Sequence, residues 1–285
     1  MTEVLSPLID AEELVNTHQG KGIILIDART GIDAYKKYLH EHLKGALFVD
    51  LEKDLADIKT NVAIGGRHPL PGPQSFAQLI GELGIDTESH VVVYDDKNGA
   101  NAAARFWWML RAIGHKKIQV LNGGYDIAIR AGFPTASAKE TVAKTKTYKA
   151  HNWQLSTATM NEVEKAAADA SFRVIDVREK VRYDGEHEPI DLVAGHIPGA
   201  QNIPFTNNLD TNGLFLSSTE LRDKYAQLLQ GIKPENIIVH CGSGVTACHT
   251  ILAMDVAGLS LPTLYTGSWS EWSRNNLPVA TAFSQ

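Results

Sequence analysis

A single internal repeat constrains the fold of this 285-residue chain more than any other feature. The segment IILIDART at 23–30 returns as FRVIDVRE at 172–179, and HLKGALFVDL at 42–51 returns as GHIPGAQNIPF at 195–205. Further on, IDTESHVVVYDD at 85–96 answers to IKPENIIVHCG at 232–242, and LNGGYDIAIRAGFP at 121–134 to YTGSWSEWSRNNLP at 265–278. Asp27 and Asp176 are 149 residues apart, Asp95 and Cys241 146, and Pro134 and Pro278 144. Four landmarks in one order at nearly one offset mean two copies of a domain of about 145 residues, not a solenoid of short repeats.

Each copy alternates short Ile/Val-rich runs with stretches of helical periodicity. Runs apolar along their whole length fit parallel strands buried on both faces. QSFAQLIGELG (74–84) and STELRDKYAQLLQG (218–231) have helical spacing, and Gly84 and Gly231 stand where a helix ends. The expectation is an α/β chain of two tandem domains, each a mostly parallel sheet flanked by helices. The boundaries are expected at 1–136, 137–152 and 153–285, because TASAKETVAKTKTYKAH (135–151) is polar, Lys-rich and aperiodic, as linkers are.

Composition narrows the function. Lys+Arg 27 against Asp+Glu 33 gives a net charge of −6, a poor basis for gripping phosphates, so no nucleic-acid partner is expected. No apolar run reaches the length of a membrane span. The start, MTEVLSPLIDAEELV, has acidic residues where an export signal has a basic end and an apolar core, so a cytoplasmic place is expected. Two cysteines make no disulfide framework. No metal and no cofactor is expected.

The run IIVHCGSGVTACHTILAMDVAG (237–258) reads as strand, Gly-containing turn and apolar helix, with Cys241 the first residue past the strand. Ligands of parallel α/β sheets bind at the carboxyl ends of the strands. Backbone N–H groups from Gly242 through Ser243, Gly244, Val245, Thr246 and Ala247 can curl about one point at the helix start and stabilise an anion there. A thiol in that position is expected to have a lowered pKa and to be a nucleophile. Cys248, two turns into the apolar helix, is expected as a buried inert thiol, with a redox partner of Cys241 the minor reading. A cysteine-dependent phosphatase needs an Arg where Ala247 stands, so the loop suits one sulfur atom better than a tetrahedral phosphate.

VIDVRE, GHIPGAQNIPF, HCGSGVTACH and GSWSEW stand where tandem-domain rhodanese-type sulfurtransferases have their signature segments, and the chain resembles that family over essentially its whole length. CGSGVTA is similar to the loop of the mercaptopyruvate-using members; thiosulfate-preferring ones more often carry basic residues after the cysteine. The resemblance implies an N-terminal copy without catalysis and a catalytic C-terminal copy whose Cys241 cycles through a persulfide. Asp95, at the cysteine position of the first copy, cannot carry sulfur. The resemblance further implies that Arg182 grips the donor anion, and that Ser243 and His68 belong to a hydroxyl–imidazole–carboxylate triad, His68 coming from the N-terminal domain. Two positions depart from the family pattern. Glu52 stands where the triad aspartate is usual, with Asp50 a nearby substitute, and Ile190 stands where a second donor-gripping Arg is usual, which leaves Arg67 to assist.

The function expected is sulfur transfer from a small anionic donor, 3-mercaptopyruvate ahead of thiosulfate, to a thiol or cyanide acceptor such as a thioredoxin-like protein. A module that carries persulfide to a protein partner with little turnover is the alternative of another class. Phe106, Trp107 and Trp108 are expected in the core. Trp269 and Trp272 are expected there too, with one of them a possible wall of the site.

Overall fold

A computed structural model describes residues 5–18, 22–229 and 231–282. Gln230 in the expected helix 218–231, and residues 1–4 of the stretch read for an export signal, lie outside the described residues.

The described residues fall into two compact units. The first contains seven strands: β1 (Leu8–Ile9), β2 (Ile23–Asp27), β3 (His42–Leu43), β4 (Leu47–Phe48), β5 (His90–Tyr94), β6 (Ile118–Leu121) and β7 (Thr135–Ala136). Its helices are α1 (Ala11–His18), α2 (Ala34–His40), α3 (Pro73–Glu82), α4 (Ala102–Ala112) and α5 (Gly124–Arg130). The main sheet is parallel throughout, in the order β1-β6-β5-β2-β4, and β3 pairs antiparallel with β7. The second unit contains β8 (Arg173–Asp176), β9 (Gln201–Asn202), β10 (Ile237–His240) and β11 (Thr263–Leu264). Its helices are α6 (Met160–Ala167), α7 (Lys180–Tyr183), α8 (Ser218–Leu228), α9 (Ala247–Val256) and α10 (Ser268–Trp272). These strands are also all parallel, in the order β11-β10-β8-β9.

The repeat in the sequence is a repeat of topology. Strands β2, β4, β5 and β6 correspond to β8, β9, β10 and β11 in the same order. A lone parallel bridge from Thr157 to Leu264 takes the place of β1, and a lone antiparallel bridge from His196 to Ala280 takes that of the β3–β7 pair. The buried polar details repeat too. Arg29 grips Asp27 and Arg178 grips Asp176, with N···O distances of 2.7 and 2.6 Å. His42 and His196 each bring Nδ1 within 2.7 Å of a tyrosine carbonyl.

Apolar side chains on both faces explain these strands: β5 and β10 are buried almost end to end. Helix α4 buries Phe106, Trp107 and Trp108, and α9 is buried from Ala247 to Met254, so its apolar composition all round belongs to a central helix. Helix α8 starts on a capping box from Ser217 to Glu220, and α6 on one from Thr159 to Glu162. Gly84, at φ +76°, ends α3 as expected.

The units depart from the expected boundaries in two ways. Residues 137–152, expected as a linker, are part of the first unit. Glu140 N–H donates to the Tyr38 hydroxyl, Lys146 N–H donates to the Gly81 carbonyl, and Tyr148 is buried with its hydroxyl 3.1 Å from His115 Nδ1. Polar, Lys-rich sequence fits a strap held by its backbone as well as it fits a free linker. In addition, residues Asp57–Leu70 belong to the second unit and Thr211–Phe215 to the first, so neither unit is one continuous stretch of chain.

Candidate active site

Cys241 follows β10 directly and is almost wholly buried. Its N–H donates to Ser268 Oγ at 3.1 Å, its carbonyl accepts from Trp269 N–H at 3.0 Å, and the Gly242 carbonyl accepts from Ser270 N–H at 2.8 Å. Helix α10 thus latches the start of the loop. Ser268 holds a left-handed φ of +54°, a strained conformation fixed by its hydroxyl bonds to Cys241 N–H and the Tyr265 carbonyl. Gly244 has φ +74°, and a Cβ there would meet the Thr266 carbonyl oxygen at 2.5 Å, so the turn requires glycine. Thr246 precedes α9 with no side-chain cap. Among the described residues, the N–H groups of Ser243, Val245, Thr246 and Ala247 donate to no protein acceptor. They lie at the start of a ten-residue helix, whose N-terminus favours negative charge.

The first unit holds the same loop already filled. Asp95, in the place of Cys241, turns its carboxylate into its own loop. Oδ1 accepts from Lys97 and Gly99 N–H, both at 2.9 Å, and Oδ2 from Asn101 and Ala103 N–H at 3.1 and 3.2 Å. Burial pushes the Asp95 pKa up against the pull of these four donors. A strand–loop–helix turn of this chain therefore gathers N–H groups about one anionic group, as expected of a backbone nest.

Segment 57–70 reaches the second unit through polar contacts. Gly65 N–H donates to Glu271 Oε1 at 2.7 Å, Arg67 N–H donates to Ser270 Oγ at 3.0 Å, and Asn275 Nδ2 donates to the Ala63 carbonyl. These fix His68, whose Nδ1 lies 2.7 Å from Ser243 Oγ. They also fix Arg67: a Cβ on Gly242 would meet Arg67 Nη2 at 3.0 Å and Arg182 Nη2 at 3.5 Å, so both guanidiniums overlie the residue after Cys241.

Carboxylates hold these arginines. Glu188 accepts from Arg182 Nη2 at 2.7 Å and from Arg178 Nη1 at 3.2 Å, while Arg178 forks onto Asp176. Asp191 accepts from Arg67 Nε at 3.1 Å and Arg274 Nη1 at 2.9 Å, and lies 3.6 Å from Arg182 Nη2. Burial disfavours the charged forms of Asp176 and Glu188, yet their arginines hold both pKa values below the usual carboxylate range. Arg178 also stacks over the Trp269 ring, 4.7 Å from its centroid. Next to Cys241 in sequence, His240 is fully buried, and burial pushes its pKa down.

Cys241, Ser243, His68, Arg67, Arg182 and the loop residues Gly242, Gly244, Val245, Thr246 and Ala247 all belong to the second unit. Asp50 and Glu52 belong to the first, where Asp50 Oδ1 accepts from the N–H groups of Glu52 and Lys53. Ile190 is 54% exposed. Cys248 is buried, its thiol 3.4 Å from the Gly244 carbonyl. Trp269 and Trp272 are core residues. Glu188, Asp191, Arg274, Ser268 and Ser270 escape the sequence reading. The signal for the first two was the acidic pair three residues apart in HEPIDLVAGH, read there only for Ile190.

Comparison with known proteins agrees with the duplicated α/β architecture. The family model of the rhodanese-like domain matches residues 10–127 and again 159–275. The "Probable 3-mercaptopyruvate sulfurtransferase" of Pseudomonas aeruginosa is 37% identical, the alignment covering 96% of this chain and 98% of that protein. The thiosulfate sulfurtransferase of Cricetulus griseus is 36% identical over 96% of this chain and 93% of that one. Among solved structures, 3-mercaptopyruvate sulfurtransferase from Leishmania major superposes with a TM-score of 0.82 at 29% identity, covering 93% of this chain and 74% of that one. The chain belongs to the rhodanese family and is a sulfurtransferase with two rhodanese-like domains.

Proposed function

We propose that this sulfurtransferase takes sulfane sulfur from a small anionic donor, 3-mercaptopyruvate ahead of thiosulfate, through a persulfide on Cys241. The Cys241 thiolate attacks the donor sulfur, the carbon–sulfur bond breaks, and its electron pair leaves on pyruvate enolate, which takes up a proton at carbon. The loop N–H groups stabilise the thiolate and then the persulfide. An acceptor thiolate, from a small thiol or a thioredoxin-like protein, or cyanide, attacks the outer sulfur and frees Cys241. Arg182 and Arg67 bind the donor anion. The unit containing Cys241 is the catalytic copy, and the unit with Asp95 in its place is the non-catalytic one.

The observation that carries the donor preference is the 2.7 Å hydrogen bond of His68 Nδ1 and Ser243 Oγ, two residues past Cys241. Sulfite leaves thiosulfate as a stable anion, whereas pyruvate enolate needs a proton that a hydroxyl–imidazole relay supplies. Thiosulfate stays the second reading, because relatives named for either donor are almost equally similar. Donor kinetics of His68→Ala test the assignment. The kcat with mercaptopyruvate should fall by about 10²–10⁴, the range for a general acid, with thiosulfate turnover nearly unchanged. Equal losses with both donors would reduce His68 to a shaping role.

A further inference from the structure

The arginine cluster contains an excess of one charge. Arg67, Arg178, Arg182 and Arg274 are tied to Asp176, Glu188 and Asp191, four guanidiniums on three buried carboxylates. Glu179 comes within 3.9 Å of Arg182 but is half exposed, where solvent screens it. His240 is fully buried and favours its neutral form. The loop N–H groups without a protein acceptor are available to stabilise the Cys241 sulfur, which leaves the surplus positive charge of the cluster to the donor. Asp191 is the pivot of this balance. Its side chain is fully buried, and it holds Arg67 and Arg274 directly with Arg182 close by.

We propose that Asp191 is a specificity-determining residue. By binding Arg67 and Arg274 beside Arg182, it limits the donor site to one net positive charge and so favours a monoanion over a dianion. Mercaptopyruvate, with one carboxylate, is the monoanion; thiosulfate is the dianion. Each unit of charge added to the cluster acts twice on a dianion and once on a monoanion, so the preference between them responds to Asp191 while a loss of packing does not discriminate. At an effective dielectric of about 20, one added charge changes the preference about a thousandfold at about 4 Å and about tenfold at about 12 Å, so a charge that acts through the intervening arginines changes it at least about tenfold. Asp191 touches arginines and acts through them.

The inference rests on the sulfur-transfer reading above, and its test separates the two. The ratio of kcat/KM for mercaptopyruvate to that for thiosulfate is measured in the wild type, Asp191→Asn, Asp191→Glu and Arg274→Gln. In the same preparations, protection of Cys241 from iodoacetamide by pyruvate and by sulfate compares a monoanion with a dianion without turnover. Asp191→Asn should lower the ratio at least about tenfold and improve protection by sulfate. Asp191→Glu should restore the wild-type ratio, and Arg274→Gln, which removes a positive charge, should shift both readouts the opposite way. An unchanged ratio in a folded Asp191→Asn, or a shift of the same sign in Arg274→Gln, overturns the inference. If Asp191→Asn fails to fold, Arg274→Gln alone decides by its sign. A wild type that turns over neither donor while protection still follows the charge rule would instead overturn the donor assignment and leave the role of Asp191 standing.

Discussion

Arg182, the proposed donor-binding residue, shows how one side chain is held in place. Glu188 grips it through both Nε and Nη2, which fixes the plane of the guanidinium over Gly242. A charged hydrogen bond to a donor carboxylate is worth roughly 1.5–3 kcal/mol. Arg182→Ala should therefore raise KM on the order of tenfold or more. Arg182→Lys should recover only part of the loss, because an ammonium cannot reproduce the fork. Steady-state kinetics with both donors check this, and an unchanged KM would transfer the role to Arg67. Arg182 was singled out in the sequence through the resemblance of DVREKVRYDG to a family segment, and the structure places it over Gly242. Its neighbours were not. An acidic residue in a loop reads as a solvated charge, and only the folded chain reveals that Glu188 and Asp191 are buried against arginines 6 to 124 positions away.

At the scale of elements, the turn from β10 to α9 holds the proposed nucleophile, and its local sequence was readable. A run of Ile and Val, a Cys-Gly-Ser-Gly turn and an apolar helix can hardly be arranged otherwise. Gly244 is the sharpest test. A side chain there costs about 1–2 kcal/mol for the left-handed backbone alone, and its Cβ would collide with the Thr266 carbonyl at 2.5 Å. Gly244→Ala should lower the urea midpoint more than Gly242→Ala does, since Gly242 has no positive φ and a Cβ there meets only side-chain ends. Equal urea midpoints would mean that the left-handed turn does not constrain the loop. What the element pattern concealed was segment 57–70. It is rich in Gly and polar residues and reads as a loop of the first copy, yet its hydrogen bonds are made to Ser270, Glu271 and Asn275. Contacts that span some 200 positions leave no periodicity to read.

On the scale of the whole molecule, duplication left one loop with a cysteine, the proposed nucleophile, while its twin closed on an aspartate. The fold class follows from the repeated Ile/Val runs, whereas the strand order and the strap at 137–152 do not, because crossovers and backbone hydrogen bonds carry no sequence signature. Both units bury a histidine that favours the neutral form: His115, whose ring nitrogens face Tyr148 and the Ser89 carbonyl, and His240 beside Cys241. Burial holds both pKa values below the ordinary 6.5. Unfolding then binds protons, so the stability these groups provide is full above about pH 6.5 and is lost as pH falls through the folded values. The melting temperature should fall as pH drops below about 6.5, with a weaker fall in His240→Asn; a melting temperature indifferent to acidification would contradict the burial of neutral histidines. The central claim is that one sulfur atom passes through Cys241, and it is tested most directly by peptide mass after incubation with mercaptopyruvate in the absence of acceptor. The added mass of one sulfur should appear on the peptide holding Cys241, persist in Cys248→Ser and vanish in Cys241→Ser; added sulfur on Cys248 with Cys241 unmodified would contradict the account.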